Sequence, residues 1–192
     1  MATKLSIINM ALNLLGEEAV NSVLVQNSVV GAMANLFETL VEQELAYQPY
    51  SFSQKILELQ EAATAPPSST RFNYAYQLPQ DLVQLQRLLP AGDYNIVGNQ
   101  LFSNYTSTSS PLSLVYTCRV DPSQYTIQFA SLVSYALASQ CALLTTQNLQ
   151  LSSYFDQQAA KMRMFVANRD SISKPSKVIE SSPILAAYLS GR

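Results

Sequence analysis
Apolar positions at the start of the chain fall at helical spacing. Leu5, Ile8, Leu12 and Leu15 form one stripe, which predicts a helix over residues 3–15 with Thr3 as its cap and Gly16 as its end. Residues 17–27 read as a polar connector with a short apolar stretch at Val23–Val25. A second helix fits 28–46, capped by Ser28. Its apolar face is Val30, Met33, Ala34, Phe37, Leu40, Val41 and Leu45, its outer face carries Glu38, Glu42 and Glu44, and Pro49 closes it. Between residues 50 and 122 helical periodicity gives way to short apolar runs separated by turn residues. Phe52–Leu59 reads as a strand, and residues 62–70 as a loop in which Pro66–Pro67 forbids helix. Further runs follow at Phe72–Tyr76, Leu82–Leu88, Tyr94–Val97, Leu101–Phe102 and Leu112–Val120, with Thr106–Ser110 as another polar loop. Gly98–Asn99 stands between two of them as a two-residue hairpin signal. The middle third therefore predicts a small antiparallel sheet.

Helical spacing returns at Thr126. Phe129, Val133, Ala136, Leu137, Gln140 and Leu144 predict a long helix over roughly 125–146, broken at Asn148. A fourth helix fits 151–171, with Ser153 and Asp156 spaced as a capping box and Leu151, Tyr154, Phe155, Met162, Phe165 and Val166 as its apolar face. The short connection makes these two an antiparallel hairpin. From Ser171 onward long-range periodicity is lost, and the chain ends in the apolar cluster Ile184, Leu185, Tyr188 and Leu189. An isolated helix that short is marginal in water, so this segment is expected to order only when docked. The fold class is thus α+β. Residues 1–49 and 123–171 would form an antiparallel bundle of about four helices, 50–122 an inserted β-rich region, and 172–192 an extended arm.

Composition narrows the function. The 192 residues are 48% hydrophobic and only 12% charged, with 11 Tyr, 24 Ser, 17 Gln, no Trp and no His. Without His, most hydrolytic triads and the commonest zinc and copper ligand sets are excluded. Ser–Lys dyads, carboxylate pairs and Lys Schiff bases survive on paper. A net charge of −2 gives no basic field for nucleic acid. A surface poor in Lys, Glu and Asp and rich in Tyr suits burial against partners. Cys118 and Cys141 each stand inside an apolar run, which favours two buried free thiols over the one disulfide they could form. Met1–Leu15 lacks the layout of a signal peptide, and no stretch is read as reaching the roughly 18 apolar residues of a membrane span. Synthesis in a reducing, intracellular site follows. Residues 1–61 hold seven acids and two bases, and 151–192 hold three acids and six bases, so the ends could pair between copies or within one subunit.

No phosphate-binding glycine loop, dinucleotide fingerprint, C-x-x-C or nucleophile elbow occurs. Glu17–Glu18 read as solvated at a helix end. Glu38 and Glu42, one turn apart, could form a carboxylate pair, but nothing near them supplies a second catalytic role. Tyr74, Tyr76, Phe102 and Tyr116 alternate as strand residues do. With only Arg71, Arg87 and Arg119 in the region, sheet packing explains them better than base stacking.

Four stretches, taken in order, resemble the head-to-tail adaptor family of short-tailed bacteriophages, known as tail tubular protein A or gatekeeper protein. They are LSIINMALNLLGEEAVNS (Leu5–Ser22), YQLPQDLVQLQRL (Tyr76–Leu88), LVYTCRVDPSQYTIQFASLVSYALASQCALLTTQN (Leu114–Asn148) and YFDQQAAKMRMFVANRDS (Tyr154–Ser171). The Trp that such proteins carry after the second helix is replaced here by Tyr50–Phe52, and charge is sparser than the family suggests. The resemblance implies a structural virion protein of the head–tail junction, assembled in the host cytoplasm, with no catalytic site, metal or cofactor. Twelve copies would form a ring beneath the portal protein, carry the tail nozzle (tail tubular protein B) and the tail fibres, and pass DNA without specific binding; no membrane is involved. Portal docking is assigned to Ile184, Leu185, Tyr188 and Leu189 from the composition of the tail, which has no motif of its own. The rival readings are a small His-free cytosolic enzyme and a ring or tube subunit of another assembly.

Overall fold
The computed structural model describes residues 2–23, 28–62, 66, 71–105 and 111–173. Helix α1 (Lys4–Leu15) starts in a reciprocal cap: the Ser6 amide donates to Thr3 Oγ1 at 3.1 Å, and the Thr3 amide donates to Ser6 Oγ at 2.8 Å. Gly16 ends it at φ 79°, a left-handed conformation that glycine adopts without a Cβ penalty. Asn9 then fixes the connector, donating to and accepting from the Val20 backbone at 2.9 Å each. Helix α2 (Ser28–Tyr47) buries the expected Val30, Met33, Phe37, Leu40, Val41 and Leu45.

The strand expected at Phe52–Leu59 is shorter. Residues Ser51–Ser53 make a 3₁₀ turn, closed by the Ser53 amide and hydroxyl on the Tyr50 carbonyl at 3.0 Å each, and β1 spans Gln54–Glu58. Strands β2 (Tyr74–Gln77), β3 (Leu82–Leu89), β4 (Tyr94–Val97), β5 (Gln100–Ser103) and β6 (Ser113–Cys118) follow. They form two three-stranded antiparallel sheets instead of the one expected, in the orders β1-β6-β3 and β2-β5-β4. The reason is reach. The β4–β5 hairpin folds tightly at Gly98 (φ 60°), so β5 pairs with β2, while the later β6 inserts between β1 and β3. Strand β3 is irregular, with register shifts at Leu82/Gln84 and Leu85/Arg87.

Helix α3 (Ile127–Thr146) is capped by Thr126, whose Oγ1 accepts from the Phe129 amide at 3.2 Å. Helix α4 (Leu149–Ser173) starts two residues earlier than expected and without the Ser153–Asp156 box. Asn148 caps it instead, its Oδ1 accepting from the Gln150 and Leu151 amides at 2.9 and 3.2 Å. The two helices run antiparallel, with Ser139 and Ser152 exchanging hydroxyl-to-carbonyl hydrogen bonds at 3.2 and 2.9 Å. Helix α3 packs against α1, α2 and α4. Two expected faces are therefore narrower. On α4 the covered stripe is Phe155, Ala159, Met162 and Val166, leaving Tyr154 and Phe165 exposed. On α3, Gln140 and Leu144 point to solvent. Residues 172–173 of the expected arm are the last of α4; the remainder lies outside the described residues.

One apolar core joins both kinds of element. Ile7, Leu12, Phe37, Leu45, Phe129 and Leu137 from the helices meet Tyr76, Leu101, Leu112, Leu114 and Tyr116 from the strand region. Phe129 lies within 5.2 Å of Tyr50, 5.0 Å of Phe52 and 5.0 Å of Tyr125, centroid to centroid. This aromatic cluster joins the end of α2 to the start of α3.

Candidate interaction site
The residues assigned to docking from the sequence, Ile184, Leu185, Tyr188 and Leu189, lie outside the described residues. Within them, a groove of about 640 Å³ lies between the last turns of α2 and the second half of α4. Its floor is an ion pair. Glu44, expected on the outer face of α2, is 4% exposed, and Arg163 clasps it: Nε donates to Oε1 and Oε2 at 3.0 and 2.8 Å, and Nη2 donates to Oε1 at 2.6 Å. The hydrogen bonds to Glu44 hold the Arg163 guanidinium above its already high pKa. Periodicity carried the missing signal. Glu44 follows Phe37 by seven residues, Leu40 by four and Val41 by three, so it shares their buried stripe.

Close to the pair, Tyr50 is fully buried, and its hydroxyl is one of the polar atoms without a hydrogen-bond partner among the described residues. Burial, then the nearby Glu44 carboxylate, pushes its pKa up to about 12. The groove walls are Tyr47 and Met164, 73% and 70% exposed, with Gln43, Gln48 and Asn168 around them. An ion-paired floor, walls of Tyr47, Met164, Ala160 and Ala167 and an amide rim make a mixed apolar and polar surface.

Several other charged groups are engaged. Glu38 accepts from Lys4 at 2.9 Å and Glu42 from Arg119, so the two carboxylates considered as a pair each have a separate cation. Glu17 and Glu18 are exposed after α1. Arg71 stands over the Phe72 ring at 5.1 Å and 3.3 Å from Asp93. Asp81 accepts from Lys55 at 2.7 Å and from the Tyr116 hydroxyl at 3.0 Å. Burial opposes its charge, but these hydrogen bonds outweigh that and hold the carboxyl below its usual range. Among the described residues no group of three or more Cys, Asp or Glu is arranged to hold a metal.

Tyr76, Phe102 and Tyr116 are buried and Tyr74 half-buried, as sheet packing requires. Cys118 and Cys141 are free and buried; burial raises both thiols, Cys141 to about 11. The acidic beginning and basic end of the chain meet within one subunit at Glu44–Arg163. One expectation fails: Ile127–Thr145 is long and apolar enough to cross a membrane, with mean hydropathy 1.4. Most of that stretch is buried against the other helices, and a core helix surrounded on several sides is apolar for that reason.

Apolar side chains are also exposed at three edges: Ile56 and Leu57 on β1, Ile96 and Val97 on β4, and Leu143, Leu144 and Leu149 where α3 turns into α4. No protein-family model matches this chain, and no curated protein matches it.

Proposed function
We propose that this protein is a structural subunit of a virion, a head-to-tail adaptor whose ring joins the portal to the tail nozzle and extends the DNA channel. The observation that carries the reading is that the four resembling stretches, taken in order, fall on folded elements: most of α1 with its Gly16 turn, the end of β2 and the turn into β3, the passage from β6 into α3, and most of α4. Exposed apolar edges on a charge-poor surface add to it.

In this reading α1–α4 act as an antiparallel bundle that packs laterally into the wall of a dodecameric ring. The β-rich part, residues 50–122, faces the nozzle and fibres. The arm beyond α4 docks on the portal through Ile184, Leu185, Tyr188 and Leu189; ordering it costs entropy, offset by burial of those side chains. A sparsely charged, slightly acidic lumen lets DNA slide, because phosphate binding scales with Lys and Arg contacts. The test is sedimentation of the purified chain alone and mixed with portal. The reading requires a complex of ring mass with portal; a chain that stays apart from portal overturns it. It also requires no measurable DNA affinity near physiological salt, and a micromolar, salt-sensitive complex contradicts it.

A further inference from the structure
We infer that strand β1 pairs with β1 of a second copy of this chain, antiparallel about a two-fold axis at Ile56, so that two β1-β6-β3 sheets become one continuous sheet. The inference goes beyond the virion reading and does not depend on it. Its first support is the direction of the β1 backbone groups. Strand β1 is bonded to β6 along one edge only, and all of its residues are exposed. The Leu59 amide donates to the Leu112 carbonyl at 2.7 Å, in line with the register that sets Glu58 against Ser113 and Gln54 against Thr117. Peptide groups alternate in direction along an antiparallel ladder. Those of Lys55 and Leu57 therefore face β6, like those of Leu59, and those of Gln54, Ile56 and Glu58 point away from it. These outward groups meet no backbone partner among the described residues. Such a row is a template for another strand, which proteins ordinarily blunt with proline, a bulge or a charge. Strand β1 has no proline and no register shift against β6, and Asp81 holds its Lys55 ammonium at 2.7 Å.

The second support is that β1 is complementary to itself. Only a register that sets outward groups against outward groups closes a ladder between two such edges. The register centred on Ile56 does so. It places Ile56 against its own counterpart, Gln54 against Glu58, and Lys55 against Leu57, the last two contacts occurring twice by symmetry. Each contact is matched in chemistry. Ile56, 68% exposed, meets an identical apolar side chain, and the Gln54 side-chain amide donates to the Glu58 carboxylate. Leu57, 41% exposed, lies along the aliphatic stem of Lys55. No like charges stand directly opposite one another. About six backbone hydrogen bonds cross the axis. An edge of five residues buries less than the roughly 1,200 Å² of a stable interface, so the pair is reversible, with Kd of about 0.1–1 mM.

The test uses the full chain alone, under reducing conditions. Sedimentation from about 10 μM to about 1 mM is expected to show monomer passing into dimer, and a chain that stays monomeric at about 1 mM overturns the inference. Amide exchange reads the register in the unaltered protein. As the dimer fills, the Ile56 and Glu58 amides are expected to slow about tenfold, while those of β4, the other exposed outer strand, stay unchanged. Protection on β4 in place of β1 overturns it. Ile56→Lys sets two like charges across the axis and is expected to abolish the dimer with helical dichroism intact, whereas Ile96→Lys on β4 is expected to leave the dimer in place. A dimer that survives Ile56→Lys, or that Ile96→Lys abolishes, overturns it as well.

Discussion

Helix α3 and the outer strands β1 and β4 are ordered in opposite ways. Leu132, Val133, Leu137, Ala138 and Cys141 are wholly buried, so α3 is covered on several sides. Strands β1 and β4 are exposed at every position. Small residues explain how α3 is surrounded so closely: Ser134 donates to the Ile7 carbonyl of α1 at 3.2 Å, and Ser139 meets Ser152 of α4. Central β6 behaves like α3, with Leu114, Tyr116 and Cys118 in the common core. The division therefore sets α3 and β6 apart from β1 and β4, not helix from strand.

The largest expected effect lies at the inner side. Phe129→Ala removes the ring shared by Tyr50, Phe52 and Tyr125, and should cost about 3–5 kcal/mol in urea unfolding. A loss below about 1 kcal/mol would break the comparison. Next comes the clasp between α2 and α4. Arg163→Met strands a buried carboxylate and should cost about 3 kcal/mol or more. Glu44→Met should cost less, because the Arg163 side chain, 28% exposed, can turn to solvent.

A third expectation concerns alkaline pH. Burial is the first cause that raises the phenols of Tyr50 and Tyr116, each to about 12, and it also raises Tyr125. With an unfolded value near 10, their contribution is whole below about pH 10 and is lost as pH climbs through 12, on the order of 3 kcal/mol for Tyr50. Phenolate absorbance from these rings should appear together with loss of helical dichroism. Ionisation well before unfolding would show that they are not inner residues. The smallest effect belongs to the outer strand: Ile56→Thr on β1 should stay within about 0.5 kcal/mol, whereas Leu114→Ala on neighbouring β6 should cost about 2–5 kcal/mol.

Much of the fold was legible because it rests on local rules. Thr3 and Gly16 bound α1, Thr126 opens α3, and Gly98–Asn99 makes its hairpin. What was hidden depends on distant partners. Nothing near Leu112–Val120 says that β6 inserts between β1 and β3, so two sheets were read as one. Glu44 sits on the buried stripe of α2, yet a carboxylate there makes sense only with Arg163, 119 residues later. The start of α4 was misplaced because two capping patterns overlapped, and Asn148 prevailed over Ser153. The groove could not be foreseen, since Tyr47 and Met164 come to line one concavity only when α2 and α4 both pack on α3.

Between Ile127 and Ser173 the sequence holds neither proline nor glycine. The reversal from α3 to α4 rests on Gln147, left-handed at φ 50° and alone among the described non-glycine residues in positive φ, and on the Asn148 cap beside it. Were those two residues to join the helix, residues 127–173 would make a straight rod of about 70 Å. Backbone geometry at Gln147 would relax, but Phe155, Ala159 and Val166 would be carried away from α3. A second molecule opened in the same way could supply the matching surface, so the backbone of two residues, Gln147 and Asn148, separates a self-contained subunit from a pair of chains that exchange their last helices.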